Sequence, residues 1–193
     1  MKRSWTYLIL KWRAIGLILI GRREAALDCF DQMLAMHAQD AYALASRAHL
    51  RAELGNPQGA MQDYARLTAL PGASAASFFN QGFLLENDGQ IEAAEASFRR
   101  AVTLDDSLDR AWFGLGLVLM RQSRLDEAIS ALKRNTQLQP MSPYGWCELA
   151  RIHVKRQEPE EVAKIIRHLQ GFEPKVAAEL ARETGINAKA SPV

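Results

Sequence analysis

A period of 34 residues constrains this chain more than any other feature. Stepping by that interval through Trp112 meets Leu10, Leu44, Phe78, Trp112 and Trp146, all large and apolar. Through Gly116 it meets Ala14, Ala48, Gly82, Gly116 and Ala150, all small. A third column reads Ala26, Ala60, Ala94, Ala128 and Val162, and a fourth Phe30, Tyr64, Phe98, Leu132 and Ile166. A fifth, Gly21, Gly55, Gly89, Ser123 and Gln157, falls at a turn, where glycine suits the left-handed residue that closes a helix. Within one row, Trp112, Leu115, Gly116 and Leu119 stand at i, i+3, i+4 and i+7, a single helical stripe. Pro140 ends the helix that follows, because its ring cannot continue the hydrogen-bond ladder. Each row is therefore an antiparallel pair of amphipathic helices. Small residues such as Gly116 and Ala128 let the two backbones approach, and a hairpin of this kind needs neighbours to bury its flanks.

This helix–turn–helix pattern resembles the tetratricopeptide repeat (TPR) family over about Tyr7 to Val176. The resemblance implies an all-α, right-handed superhelical solenoid of helix-turn-helix repeats with a C-terminal capping helix. One domain is expected over residues 1–193, with repeats at about 7–40, 41–74, 75–108, 109–142 and 143–176. The capping helix is placed at about 175–185 and a loose tail at 186–193.

The composition, 48% hydrophobic and 24% charged, is that of a globular protein. The net charge is only +2, and basic pairs such as Arg99-Arg100 and Lys133-Arg134 are interleaved with acids. They read as solvated helix faces rather than a nucleic-acid stripe, so no nucleic-acid partner is expected. Cys29 and Cys147 belong to the first and fifth repeats, too far apart to bond, which fits a reducing compartment. The expected location is cytoplasmic, with peripheral membrane attachment as an addition.

No chemistry-bearing constellation is visible, and neither enzymatic activity, cofactor nor metal site is expected. His37, His49, His153 and His168 lack metal-ligand spacing, and His153 reads as a satisfied core histidine. Cys147 has no histidine placed to activate it and reads as a packing residue. Gly114-Leu115-Gly116 lies inside a helix rather than after a strand, so it is no phosphate loop.

The opening stretch, MKRSWTYLILKWRAIGLILIG, resembles a signal peptide or anchor in having a basic start and an apolar run. Lys11 and Arg13 divide that run. Two central cations cost about 5–7 kcal/mol on the insertion scale, against roughly 3–5 kcal/mol gained from the aliphatic residues. Leu10, Ala14 and Leu17 already occupy inward repeat positions, so the stretch is expected to be the first helix of the first repeat. Its other sides carry Leu8, Ile15, Ile18 and Leu19, an apolar surface that marks a contact. The expected occupant is a second protein or a second copy of the chain, a homo-oligomer, with an interfacial membrane contact as the alternative.

In TPR stacks the non-packing side of the first helices lines a concave groove, where the resemblance places ligands. Here that side presents Tyr42, His49, Phe79, Asn80 and Phe83, then Arg110, Phe113, Leu117 and Met120, then Tyr144 and Arg151. Aromatic residues there supply rigid contact area, although Phe79, Phe83 and Phe113 serve equally well as packing between adjacent helices. One TPR subtype grips acidic chaperone tails through lysine and asparagine. Lys11 occupies one such position, but Ile15, Ser46, Ala76 and Asn80 fill the others, so that clamp is not expected. The function expected is a protein–protein interaction scaffold or assembly adaptor. It would hold a peptide segment or helix of a partner in the aromatic groove, with the N-terminal helix as a second contact. The alternative is a membrane-associated assembly factor attached through that helix.

Overall fold

The computed structural model describes residues 5–186, and every regular element among them is an α-helix. In chain order these are α1 (Trp5–Leu19), α2 (Arg23–Met36), α3 (Ala41–Glu53), α4 (Pro57–Thr68), α5 (Ala75–Asn87) and α6 (Ile91–Leu104). They continue as α7 (Asp109–Arg121), α8 (Leu125–Leu138), α9 (Pro143–Lys155), α10 (Pro159–Gln170) and α11 (Pro174–Thr184). The helices gather into two compact units, one ending at Leu104 and the other beginning at Asp105. The 34-residue period runs through this division without interruption, so spacing alone does not announce it. In the first unit the hairpins are α1/α2, α3/α4 and α5/α6, with α2 packed on α3 and α4 on α5. In the second, α7/α8 and α9/α10 form hairpins, α8 packs on α9, and α11 covers α10 and α9. The helix in the place given to the cap is α11, Pro174–Thr184; of the tail at 186–193, all but Ile186 lies outside the described residues.

The columns explain why these residues pair as hairpins. Ala26, Ala60, Ala94, Ala128 and Val162 are completely buried, as are Ala14, Ala48 and Ala150. Gly82 and Gly116 stand in the latter column because there is no room for more. A β-carbon on Gly116 would lie 2.6 Å from Leu132 Cγ, and one on Gly82 would lie 2.9 Å from the Phe98 ring. The turn column is left-handed throughout, with φ of 77°, 79° and 81° at Gly21, Gly55 and Gly89, 60° at Ser123 and 58° at Gln157. The last two hold a conformation that an L side chain adopts at a cost of about 1–2 kcal/mol.

Loops between hairpins are tied by side chains that recur at the same interval. The Trp112 indole donates to the Asp106 carbonyl at 2.9 Å, and the Trp146 indole to the Pro140 carbonyl at 3.0 Å. Asp40, Asn56 and Ser74 cap α3, α4 and α5 by accepting from the backbone N–H of the third residue of each helix. Another column, Arg66, Arg100, Arg134 and His168, reaches toward the start of its own repeat or the loop before it. Arg66 donates to the Ala38 carbonyl at 2.7 Å, Arg100 lies 5.9 Å over the Phe78 ring, Arg134 meets Asp106 at 3.2 Å, and His168 packs against Trp146 with ring centroids 4.4 Å apart.

The two units differ in how the first and second helices of a hairpin meet one position before the small and bulky columns. In α3/α4 this pair is Arg47 and Asp63, joined by two hydrogen bonds of 2.8 and 2.5 Å with the carboxylate almost wholly buried. Arg51 adds a bond of 2.8 Å to Asp63, and Arg47 also reaches Asp31 of α2 at 2.6 Å. Burial works against the Arg47 charge, but the hydrogen bonds it donates to Asp63 and Asp31 outweigh it and hold the guanidinium pKa above its ordinary value. The equivalent pair in α5/α6 is Gln81 with Ser97, bonded at 3.2 Å. In the second unit the equivalent residues are apolar, Leu115 with Ala131 and Leu149 with Ile165. Removing one partner of a buried ion pair strands the other charge, whereas replacing both by packed apolar residues is often neutral. Asp63→Ala alone should therefore lower stability by about 3–5 kcal/mol in urea unfolding. Arg47→Leu with Asp63→Ala, which copies Leu115 and Ala131, should recover most of that loss; a double variant as unstable as the single one would contradict the pairing.

Candidate functional site

In the first unit the outward side of α3 and α5 carries Tyr42, His49, Phe79, Asn80 and Phe83. Tyr42 is half-buried, edge-on to Phe30 with ring centroids 6.2 Å apart and capped by the Lys11 ammonium at 4.4 Å. His49 is exposed, with Nε2 3.3 Å from Glu53 one turn on. Phe79 and Phe83 stack with centroids 6.5 Å apart, and Phe79 also leans on Phe98 of α6 at 6.1 Å. Asn80 hydrogen-bonds the Tyr64 hydroxyl, which burial pushes up in pKa while the Asn80 bond draws it down. Phe83 is 50% exposed and His49 is exposed beside Glu53, while Tyr42, Phe79 and Asn80 divide themselves between the surface and the packing beneath it.

The same side of the second unit is formed by α7 and α9. Phe113, Leu117 and Met120 are half-buried, Arg110 is exposed, and Tyr144 is 72% exposed. Arg151 is engaged elsewhere: its guanidinium grips the Glu183 carboxylate of α11 at 2.9 and 3.2 Å and meets Glu148 at 2.5 Å. The Glu183 hydrogen bond and the two acidic neighbours raise the Arg151 pKa against the opposing effect of burial. Nearby, burial pushes the Cys147 thiol up, the reverse of an activated nucleophile. Cys29 is shifted in the same direction by burial, and both cysteines are free thiols. His153 is buried, with Nδ1 2.5 Å from Glu158, a satisfied core histidine as the spacing suggested. A cleft of about 400 Å³ opens on the far side of α9, lined by residues that include Lys133, Trp146, Lys164 and His168; Lys164 is already held by Glu161 at 2.5 Å. Among the described residues no group of three His, Cys, Asp or Glu side chains is arranged to hold a metal ion.

The N-terminal helix presents a different surface from the one its spacing suggested. Of the residues named in advance, Leu8 and Ile18 are only just exposed, Ile15 is half-buried and Leu19 is 80% exposed. The dominant exposed side chains are Trp5 at 83% and Trp12 at 68%, with Ile9 and Ile20 beside them. Sequence reasoning passed over both tryptophans, although their i, i+7 spacing with Ile9 between marks a stripe of its own. No helix among the described residues is long and apolar enough to cross a membrane.

Among the described residues, ten helices in five antiparallel hairpins and an eleventh that caps the last of them define a helical-repeat scaffold. The tetratricopeptide repeat model matches residues 20–74 and 79–145, well over half of the chain, and the chain belongs to the tetratricopeptide repeat family. Among solved structures, MamA from Desulfovibrio magneticus RS-1, in a form running from residue 41 to its end, superposes with a TM-score of 0.79 at 18% identity, covering 98% of this chain and 100% of that one. YrrB, described as a TPR protein with an unusual peptide-binding site, gives a TM-score of 0.79 at 20% identity, covering 88% of each chain. PilF of Pseudomonas aeruginosa gives 0.66 at 21% identity, covering 92% of this chain and 90% of its own. At such identities the likeness speaks for the fold alone. No curated protein is detectably similar in sequence.

The pair that ties the cap to α9 has a pH signature. The Arg151 hydrogen bond holds the Glu183 carboxyl below the usual glutamate range. A depressed carboxyl stabilises the folded state fully above its unfolded value of about 4.3, and that contribution fades as pH falls through the lower folded value. The pair is on the surface, so its effect is under about 1 kcal/mol and weakens in salt. Hydrogen exchange of α11 at low salt should quicken as pH is lowered from about 4.3, after correction for intrinsic rates. Arg151→Met should flatten that response; equal profiles for the two proteins would show that the cap does not depend on this pair.

Proposed function

We propose that this protein is a protein-interaction scaffold that holds a peptide segment or helix of a partner against the outward side of its first helices, with the N-terminal helix as a second contact. The observation that carries the reading is the stacked Phe79–Phe83 pair, one ring rooted against Phe98 and the other half exposed. A ring anchored from below and open above loses little conformational freedom on binding, which is what makes aromatic residues effective anchors. Phe113 and Tyr144 extend the same chemistry in the second unit, and Met120 adds an adaptable apolar contact. Membership of the TPR family and the peptide-binding site named for YrrB, a protein of the same fold, support a protein partner. Binding would be mass action on a preformed surface, with no covalent step.

Phe83→Ala combined with Phe113→Ala tests this reading, because neither ring is fully buried and the helices should survive. With partners identified by affinity capture and crosslinking mass spectrometry, the double variant should retain its helical circular dichroism. It should also lose at least about tenfold in affinity, roughly 1.4 kcal/mol. Crosslinks concentrated instead at exposed positions of the second helices, such as Ala96 and Ser130, with affinity unchanged in the double variant, would overturn the assignment.

A further inference from the structure

We infer that the outer face of α1 is a docking surface for an anionic lipid bilayer, on which the helix lies flat. This names the occupant of the second contact proposed above and does not rest on the aromatic face of the other helices. At 100° per residue, Trp5, Ile9, Trp12 and Leu19 fall within an arc of about 80°, and Leu8 and Ile20 flank them. The opposite face is fixed in place. Tyr7, Leu10 and Ala14 are buried, and the Tyr7 hydroxyl donates to Asp40 at 2.9 Å, the same carboxylate that caps α3. The helix therefore cannot roll its tryptophans inward. The apolar arc is an outward surface by construction, and it lies outside the residues that match the repeat family.

Charge decides what covers it. Of the 24 lysines and arginines in the chain, six lie in residues 1–23, where there is no aspartate or glutamate. The remaining 18 are outnumbered by 22 acids. An apolar stripe bearing two tryptophans, on a segment whose own charged residues are all cations, is complementary to the headgroup level of an anionic membrane, where indole rings partition and basic side chains meet phosphate. Arg13, midway along α1, and Arg22, just past its end, are exposed, and Arg23 shares its charge with Glu53 at 3.4 Å. A second copy docked through the same face would bring two such clusters together, at an electrostatic penalty. Crossing the bilayer is opposed by length: 15 residues span about 22 Å at 1.5 Å per residue, short of the roughly 30 Å core.

The test uses the whole chain and vesicles of equal phosphatidylglycerol and phosphatidylcholine, with vesicles of phosphatidylcholine alone as the comparison. The wild type should float with the anionic vesicles. Its bound fraction should fall at least tenfold when salt is raised from about 0.1 to about 0.5 M, as screening shortens the reach of the cations. Ile9→Gln with Trp12→Gln should abolish flotation, and Arg13→Gln with Arg22→Gln should weaken it at least tenfold. All four side chains are exposed, so both variants should keep the wild-type melting curve. Phe83→Ala with Phe113→Ala should float like the wild type, which separates this inference from the protein-binding reading. Failure of the wild type to float would overturn the inference, as would equal, salt-insensitive binding to phosphatidylcholine. A dimer in light scattering that Ile9→Gln with Trp12→Gln dissolves, without vesicle binding, would assign the face to a second copy instead.

Discussion

The close approach of the two helices in each hairpin is the constraint from which the other features follow. Gly116 lies against Leu132 and Gly82 against Phe98 so tightly that a single added carbon has nowhere to go. Where the facing residue is Phe30, Tyr64 or Ile166, the same position holds a fully buried alanine at 14, 48 and 150. The inward stripe of each first helix is committed to this contact, which leaves the other side of the helix to face outward. The surface on which Phe83, Phe113 and Tyr144 stand is thus a consequence of how the hairpin closes.

Around that contact the chain varies its chemistry without changing its geometry. The pair adjoining the small column runs from a buried ion pair at Arg47 and Asp63, through Gln81 and Ser97, to Leu115 with Ala131 and Leu149 with Ile165. A buried ion pair often gives no net stability over a well-packed apolar pair of similar volume. It does, however, add direction, because Arg47 and Arg51 reach Asp63 and Asp31 on two different helices. The polar version thus ties α2, α3 and α4 together, whereas at the apolar positions of the second unit this pair contributes packing alone. The ends are treated unequally as well. α11 turns Lys175, Ala178, Glu179 and Arg182 to solvent, while α1 turns two tryptophans outward.

Most of the fold was legible in the sequence because the constraint repeats. A left-handed turn was readable at Ser123 and Gln157, where no glycine marks it, only because the register carried it from Gly21, Gly55 and Gly89. Side-chain partners were not legible in the same way. Nothing in the spacing says that Asn80 is tied to Tyr64, or that Arg151 is claimed by Glu183 of the capping helix, because these contacts join elements whose relative placement a period does not encode. The pairing of Arg47 with Asp63 was readable in principle, since residues 16 apart meet in every hairpin and this pair is of opposite charge. On α1 the direction of the inward stripe was correct at Leu10 and Ala14, but Tyr7 rotates the buried arc so that Trp5 and Trp12, rather than Ile15, face outward.

The central claim is that the small column sets the hairpins, and Gly116→Leu measured by native-state hydrogen exchange tests it most directly. The leucine has no void to occupy, and overpacking of this kind costs about 1–3 kcal/mol or more. The account predicts that protection is lost across α7 and α8 and in the residues of α9 packed on α8, with α1–α4 left as in the wild type. Unchanged protection in α7 and α8, together with an unchanged melting midpoint, would contradict the register on which every face described above depends.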